Sequence, residues 1–332
     1  MRAPLWILLF AISLACPPPA VKSQAHHVLK MATTAVEGSP LVRQMQRLAA
    51  IIEERTAGLV LVKLFPGGRL GGSATLIKAL RSGSLHIYGG NVASLAQTAP
   101  ALEALSVPFS FRDYQHADGL LDGPVREQME GVLQAHGMVF GAWGPNVFMR
   151  WFSNGPPPRT PDGLASRTVL WGDGEGGEPD AALARLSEGS TAGVVSSGDE
   201  HTPWLLRSTA VAARARGLSL QASHVTRADD VLHCDAIVLS QTWLSGLPAK
   251  LREALDMLPH DPTLEARKEA RALDEELVRR MAHRGKQLLQ LTAEERRALS
   301  LSQTPTVQAV ASRGDHATAL LHAIRSHPDN SL

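Results

Sequence analysis

The stretch FMRWFSN, residues 148–154, sets one permanent cation, Arg150, among the apolar side chains Phe148, Met149, Trp151 and Phe152. A guanidinium is always charged, and burying it without an acceptor is costly. Three arrangements satisfy it. The side chain snorkels to the surface, it pairs with an internal carboxylate, or it waits for an anion that is not part of the protein. The last has specific chemistry: the planar fork holds a carboxylate through two parallel hydrogen bonds, and a dry apolar cleft strengthens them. Phe148, Trp151 and Phe152 are candidate walls for such a cleft, although strand alternation puts only some of these neighbours on the side of Arg150. Trp171 and Trp204 are further aromatic candidates, against the commoner role of tryptophan as core.

Two other polar residues stand where a ligand would be met. Glu37 precedes a helix start in the first strand-to-helix loop, and ligands of open α/β sheets bind beyond the strand ends. Its alternative is a solvated loop acid. Asn91 follows Gly89-Gly90 at the end of a strand and offers an amide to a ligand, or caps a helix.

Enzymatic chemistry finds little support. Ser196, Asp199 and His201 have the types of a catalytic triad but lie within one short segment, whereas triads are assembled from distant segments, and no Gly-x-Ser-x-Gly elbow is present. His26-His27, His201, His224 and His233-Cys234 match no zinc spacing. The acidic loop GDGEGGEPD, residues 172–180, lacks the ordered calcium pattern. Cys234 reads as a small hydrophobe in a buried strand. No catalytic residue, metal ligand set or cofactor is expected.

The elements that position these residues alternate between strand and helix. His27 to Ala32 reads as a strand. Ser39-Pro40 opens a helix with Leu41, Met45, Leu48 and Ile52 on one face. Leu59 to Phe65 is a strand, Ser73 to Gly83 a helix, and Leu85 to Tyr88 a strand. Pro124 opens a helix ending near His136-Gly137. Met138 to Trp143 and Phe148 to Ser153 are buried strands, as is Cys234 to Leu239. A strand near Gly193 to Ser196 and a helix from Pro203 to Arg214 follow from the same reasoning. Leu273, Leu277, Met281 and Leu288 form one helical stripe, and Thr292 with Glu295 is a capping box. This order predicts an α/β chain with mostly parallel sheet and helices on its faces.

The N-terminus, MRAPLWILLFAISLACPPPAVKSQAHH, has the layout of a secretory signal peptide, with cleavage before His26. Its apolar run is shorter than the roughly 20 residues that span a bilayer. Cys16 raises a lipid-anchored alternative, which the serine at position 13 disfavours where leucine is expected. After cleavage only Cys234 remains, so no internal disulfide staples the fold. A mature chain of about 300 residues is ample for two domains. The net charge is +1, from 33 Lys and Arg against 32 Asp and Glu, and the basic residues are scattered. That balance gives no general attraction to nucleic acid.

Several separated stretches resemble one family, the periplasmic solute-binding proteins of TRAP transporters, of the DctP type. They are EERTAGLVLVKLFPGGRLGGSATLIKALRSGSLHI (53–87), VPFSFRDYQHADGLLDGPV (107–125), FMRWFSN itself, HCDAIVLSQTWLSGLP (233–248) and RGKQLLQLTAEERRAL (284–299). The resemblance implies two α/β domains around a ligand cleft, joined by hinge strands, with long C-terminal helices. It implies domain I over 26–147 and 222–262, and a shortened domain II over 148–221 and 263–332. It further implies a receptor that hands an organic anion to TRAP membrane subunits without chemistry on the ligand. Arg150 matches a cleft arginine of the family that binds a ligand carboxylate.

The departures bear on the ligand. The family's second arginine falls at Leu170, and Arg167, three residues earlier, points to the opposite face of a strand. The family's aspartate and asparagine near the floor of the second domain fall at Ala192 and Ser196. Between Leu170 and Leu186 the chain is roughly a dozen residues short, about one helix plus a strand. The expected ligand is therefore an organic anion or an amphipathic monocarboxylate. The alternative is a protein of the same fold that binds a hydrophobic, lipid-like molecule or a protein partner.

Overall fold

The computed structural model describes residues 27–171, 203–215, 217–255 and 260–325. Its strands are β1 (His27–Thr33), β2 (Val60–Phe65), β3 (Ile87–Asn91), β4 (Met138–Phe148), β5 (Arg150–Ser153), β6 (Thr168–Trp171), β7 (Trp204–Ser208), β8 (His224–Arg227), β9 (Leu232–Ser240) and β10 (Gln287–Gln290). They form two five-stranded sheets, ordered β2-β1-β3-β9-β4 and β10-β8-β5-β7-β6.

The N-terminal alternation gives parallel pairing of β1 with β2 and β3. The first crossover is the helix Pro40–Arg55. Ser39 Oγ accepts the Val42 amide, proline fills the first helical position, and Leu41, Met45, Leu48 and Ile52 are buried. They pack on Leu29 and Met31 of β1, which turns an amphipathic spacing into a shared core. The second crossover, Ser73–Ser82, stops at Gly83, whose φ of 80° a side chain would strain. The sheets are mixed rather than mostly parallel, because β9 runs antiparallel to both β3 and β4, and β5 to both β7 and β8.

The chain passes between the sheets at two adjacent places. Met149 separates β4 from β5, and residues 228–231 separate β8 from β9. Met149 N donates to Val231 O at 2.8 Å, and Phe109 N donates to Asp230 O at 2.5 Å, so the crossings are stitched together. Asp229 on the second crossing has φ of 48°, in the left-handed region that aspartate tolerates better than most residues.

A third link is the long helix Asp261–His283. Its first half is tied to the first domain. Arg267 forks onto Asp122 at 2.6 and 2.8 Å, Arg271 binds Asp118, and Glu269 receives Arg43 and Arg47 from the first helix. Its second half carries Leu277, Val278 and Met281 into a core with Phe152, Leu206 and Val225 of the second sheet.

Three expectations are corrected. Residues 204–208 are strand β7, not helix; Trp204, Leu205 and Leu206 are buried in the second sheet, where backbone pairing with β5 and β6 overrides the helix-start signal of Pro203. Leu288 does not continue the helical stripe. The helix ends before Gly285, at φ of 85°, and Leu288 lies in β10 paired with β8. The domain division also differs. Strand β8 belongs to the second sheet, and Val310, Leu320, Leu321 and Ile324 of the terminal helices pack into the first domain's core with Leu102, Leu105 and Met129. The expected strand near 193–196 lies outside the described residues.

Candidate ligand-binding site

Arg150 opens β5, opposite Ser208 of β7. The pleat puts it on the same face as Phe152, which packs against the long helix. Its guanidinium reaches that helix. Nε donates to Asp274 Oδ2 at 3.0 Å, Nη2 lies 2.9 Å from Asp274 Oδ2 and 2.9 Å from Glu275 Oε1, and Nη1 donates to Asp229 Oδ1 at 2.7 Å. Of the three arrangements open to this cation, the structure contains the internal ion pair.

The three carboxylates are not equivalent. The Arg150 and Asp274 side chains are 2% and 1% exposed, whereas Asp229 is 31% and Glu275 34% exposed. Asp274 also accepts the Ala210 amide at 3.0 Å. Glu275 has a second cation, Arg227. Burial, the largest influence, opposes the charge on Arg150; the field of Asp274, helped by Tyr114, Asp229 and Glu275, outweighs it and holds the guanidinium above its usual pKa. Burial pushes the Asp274 carboxyl up, against the pull of Arg150. Beside them, burial raises the Tyr114 phenol to about 12.

The other sequence candidates divide. Phe148 is buried against the Tyr114 ring, centroids 5.0 Å apart, and its amide donates to Tyr114 Oη at 3.1 Å. Trp151 is fully buried on the opposite face from Arg150. Its Nε1 donates to Asp230 Oδ2 at 2.9 Å, and Arg207 stacks over its ring at 5.5 Å. Asn91 caps the short helix Val92–Leu95 through Oδ1 and meets His233 Nδ1 through Nδ2 at 2.9 Å. Glu37 is exposed in its loop and accepts from Gln46. Leu170 stands opposite Leu206 in the β6–β7 register. Ser196, together with Asp199 and His201, lies outside the described residues. Thus Arg150, Phe148 and the Tyr114 ring gather at one place, while Trp151, Asn91 and Glu37 are engaged elsewhere.

Sequence reasoning missed Asp229, Asp274, Glu275 and Arg207. The three acids lie 79 to 125 residues from Arg150, so only the fold joins them. Arg207 was hidden by the helix expected there. The crossing has its own fixture: Arg296 donates to the carbonyls of Ala228 at 2.7 Å, Asp229 at 2.5 Å, Phe111 at 2.7 Å and Arg112 at 3.3 Å.

The cluster places one buried guanidinium among one buried and two part-exposed carboxylates. Among the described residues no cluster of three or more His, Cys, Asp or Glu has metal-holding geometry. Cys234 is buried, and burial raises its thiol pKa, which suppresses the reactive thiolate. Residues 31–166 match the model of DctP, bacterial extracellular solute-binding protein family 7. Over that stretch, less than half of the chain, it is similar to the DctP family. The match covers the first sheet's N-terminal strands, the crossing at Met149 and Arg150 itself.

Relatives extend the likeness. The 2,3-diketo-L-gulonate-binding periplasmic protein YiaO of Escherichia coli is 32% identical over 121 residues, 36% of this chain and 37% of YiaO. The chain thus spans little more than a third of that relative. The C4-dicarboxylate-binding periplasmic protein DctP of Rhodobacter capsulatus is 24% identical over 314 residues, 91% of each chain. A TRAP periplasmic solute-binding protein from Sulfitobacter sp. NAS-14.1, solved with bound β-D-galacturonate, superposes with a TM-score of 0.77 at 16% identity, over 90% of this chain and 100% of that one. That likeness establishes the two-domain periplasmic-binding fold. The DctP family and these neighbours are solute-binding proteins, not enzymes. Among the described residues no helix is long and apolar enough to cross a membrane.

Proposed function

We propose that this protein is an extracytoplasmic solute-binding receptor of a TRAP-type secondary transporter, and that it delivers an organic acid to membrane subunits. The observation that carries this reading is the alignment with the DctP protein of Rhodobacter capsulatus along 91% of both chains, on a matching fold. The fold supplies the mechanics. Two sheets joined by adjacent crossings and one bridging helix can close on a ligand with few backbone changes. The leader at residues 1–25 fits export with cleavage before His26, leaving a soluble protein; a lipid at Cys16 is the less favoured form.

Arg150 is the proposed anchor for the ligand's carboxylate, with Phe148 and Tyr114 as its apolar surroundings. The ligand class is a sugar acid, a dicarboxylate or an amphipathic monocarboxylate. Leu170 in place of a second arginine argues for one strong charge contact rather than two.

Native mass spectrometry of the mature protein, exported and purified without added ligand, tests the reading. The expected spectrum contains a small acid as a one-to-one adduct. A lipid-sized adduct would overturn it in favour of a hydrophobic-ligand protein on the same fold.

A further inference from the structure

Arg150 is already satisfied, and that fact constrains any ligand. Its Nε, Nη1 and Nη2 all face carboxylate oxygens within 3.0 Å. The surrounding charges balance. Arg150, Arg227 and Arg296 stand against Asp229, Asp274 and Glu275, three cations to three anions. An added carboxylate gains nothing from a neutral cluster with no open fork. It must exchange with a carboxylate already there.

The geometry says which ones exchange. Asp274 is fully buried, touches Arg150 through two nitrogens and holds the Ala210 amide with its other oxygen. Removing it would take from a buried charge its only buried counter-charge among these three acids. Asp229 and Glu275 are each about one-third exposed, so water can solvate them once displaced. Glu275 also keeps Arg227 as a partner after leaving Arg150. Asp229 lies on the chain crossing, where its carbonyl stays held by Arg296 whatever its side chain does.

We infer that Asp229 and Glu275 occupy the place of a ligand carboxylate on Arg150 and set its affinity by competition, while Asp274 is the fixed residue that positions the guanidinium. The inference rests on the receptor reading above and adds its specificity device. A ligand binds only if its carboxylate, with the rest of its contacts, outcompetes two tethered carboxylates of high effective concentration. This selects against simple acids such as acetate and favours ligands with additional hydrogen-bonding or apolar groups.

The test uses the full mature protein and sodium acetate as probe, with acetamide as the neutral isostere. Wild type, Asp229→Asn, Glu275→Gln and the double variant are melted across an acetate series at constant ionic strength. Asparagine is chosen at 229 because it also tolerates the left-handed backbone. The expected result is acetate-specific stabilisation of the double variant, with a half-saturating concentration at least tenfold below that of wild type and the single variants between. Equal acetate and acetamide responses, or the same acetate response in wild type and variants, would overturn the inference. If the double variant does not fold, Glu275→Gln alone decides by the same comparison, since Glu275 is part-exposed and Arg150 keeps Asp274 and Asp229 without it. The acetate response is independent of the natural ligand. Failure of the receptor reading therefore shows in the mass spectrum, and failure of the competition shows here.

Discussion

Asp274 meets Arg150 twice through one oxygen, at 3.0 Å from Nε and 2.9 Å from Nη2, and its other oxygen takes the Ala210 amide at 3.0 Å. This pair joins the long helix to β5 and to the helix that follows β7. Its energetic weight lies in what breaking it leaves behind, a buried guanidinium with no partner at Nε and only part-exposed carboxylates at its other nitrogens.

Asp274→Asn is expected to destabilise the protein by about 3 kcal/mol in urea unfolding. Asp229→Asn, on a part-exposed partner, should cost about 1 kcal/mol or less. Equal costs at the two positions would contradict the division of roles drawn here.

Arg296 holds both the 228–229 crossing and the 111–112 loop through four carbonyls. Lysine keeps the charge but loses the planar fork. Arg296→Lys is expected to cost about 1–2 kcal/mol, a few net hydrogen bonds. Hydrogen exchange should speed up at the Met149 and Phe109 amides, whose acceptors lie on the crossing. Unchanged protection of those two amides would show that the crossing does not depend on Arg296.

Gly144 sits in β4 where the pairing with β9 slips register. A Cβ there would lie 2.5 Å from Asp235 Cβ and 3.1 Å from its carbonyl carbon, and backbone cannot step aside. Gly144→Ala is expected to destabilise by about 1–3 kcal/mol, the range for overpacking. Gly119, exposed within the helix Tyr114–Asp122, has nothing within 4 Å of such a Cβ. Gly119→Ala should therefore stabilise by about 0.5–1 kcal/mol. Thermal melts of the two variants should move in opposite directions.

Glu269 links the long helix to Arg43 and Arg47. Burial raises its pKa, but the hydrogen bonds from Arg43 and Arg47 outweigh that and hold it below its ordinary 4.5. A carboxyl depressed in the folded state adds stability above its unfolded pKa and loses it as pH falls through the folded one. The Glu269 contribution should therefore be intact at neutral pH and fade below about pH 4.5. Glu269→Gln should lower stability at pH 7 and flatten this part of the acid limb in pH-dependent denaturation.

Much of the first domain was legible because its signals are local. Ser39-Pro40, the apolar face from Leu41 to Ile52, and Gly83 each act within a few residues, and the structure follows them. The capping box of Thr292 and Glu295 is present for the same reason. Residues 204–208 misled because a central strand is fixed by neighbours far away in sequence, which propensity does not see. Arg150 was legible as a buried cation among apolar residues. Its partners were not, since Asp229, Asp274 and Glu275 have no mark in sequence distinguishing them from other acids. The terminal helices were read with the second domain because a helix's apolar face does not name the surface it packs on.

Under the receptor reading, the protein binds an organic acid reversibly through the charge of the ligand's carboxylate. Isothermal titration calorimetry of the purified mature protein with D-galacturonate, 2,3-diketo-L-gulonate and succinate, and with neutral D-galactose, tests it most directly. One-to-one binding of at least one acid is expected, with no measurable heat from galactose. No binding by any of the acids, or equal binding of galacturonate and galactose, would contradict it.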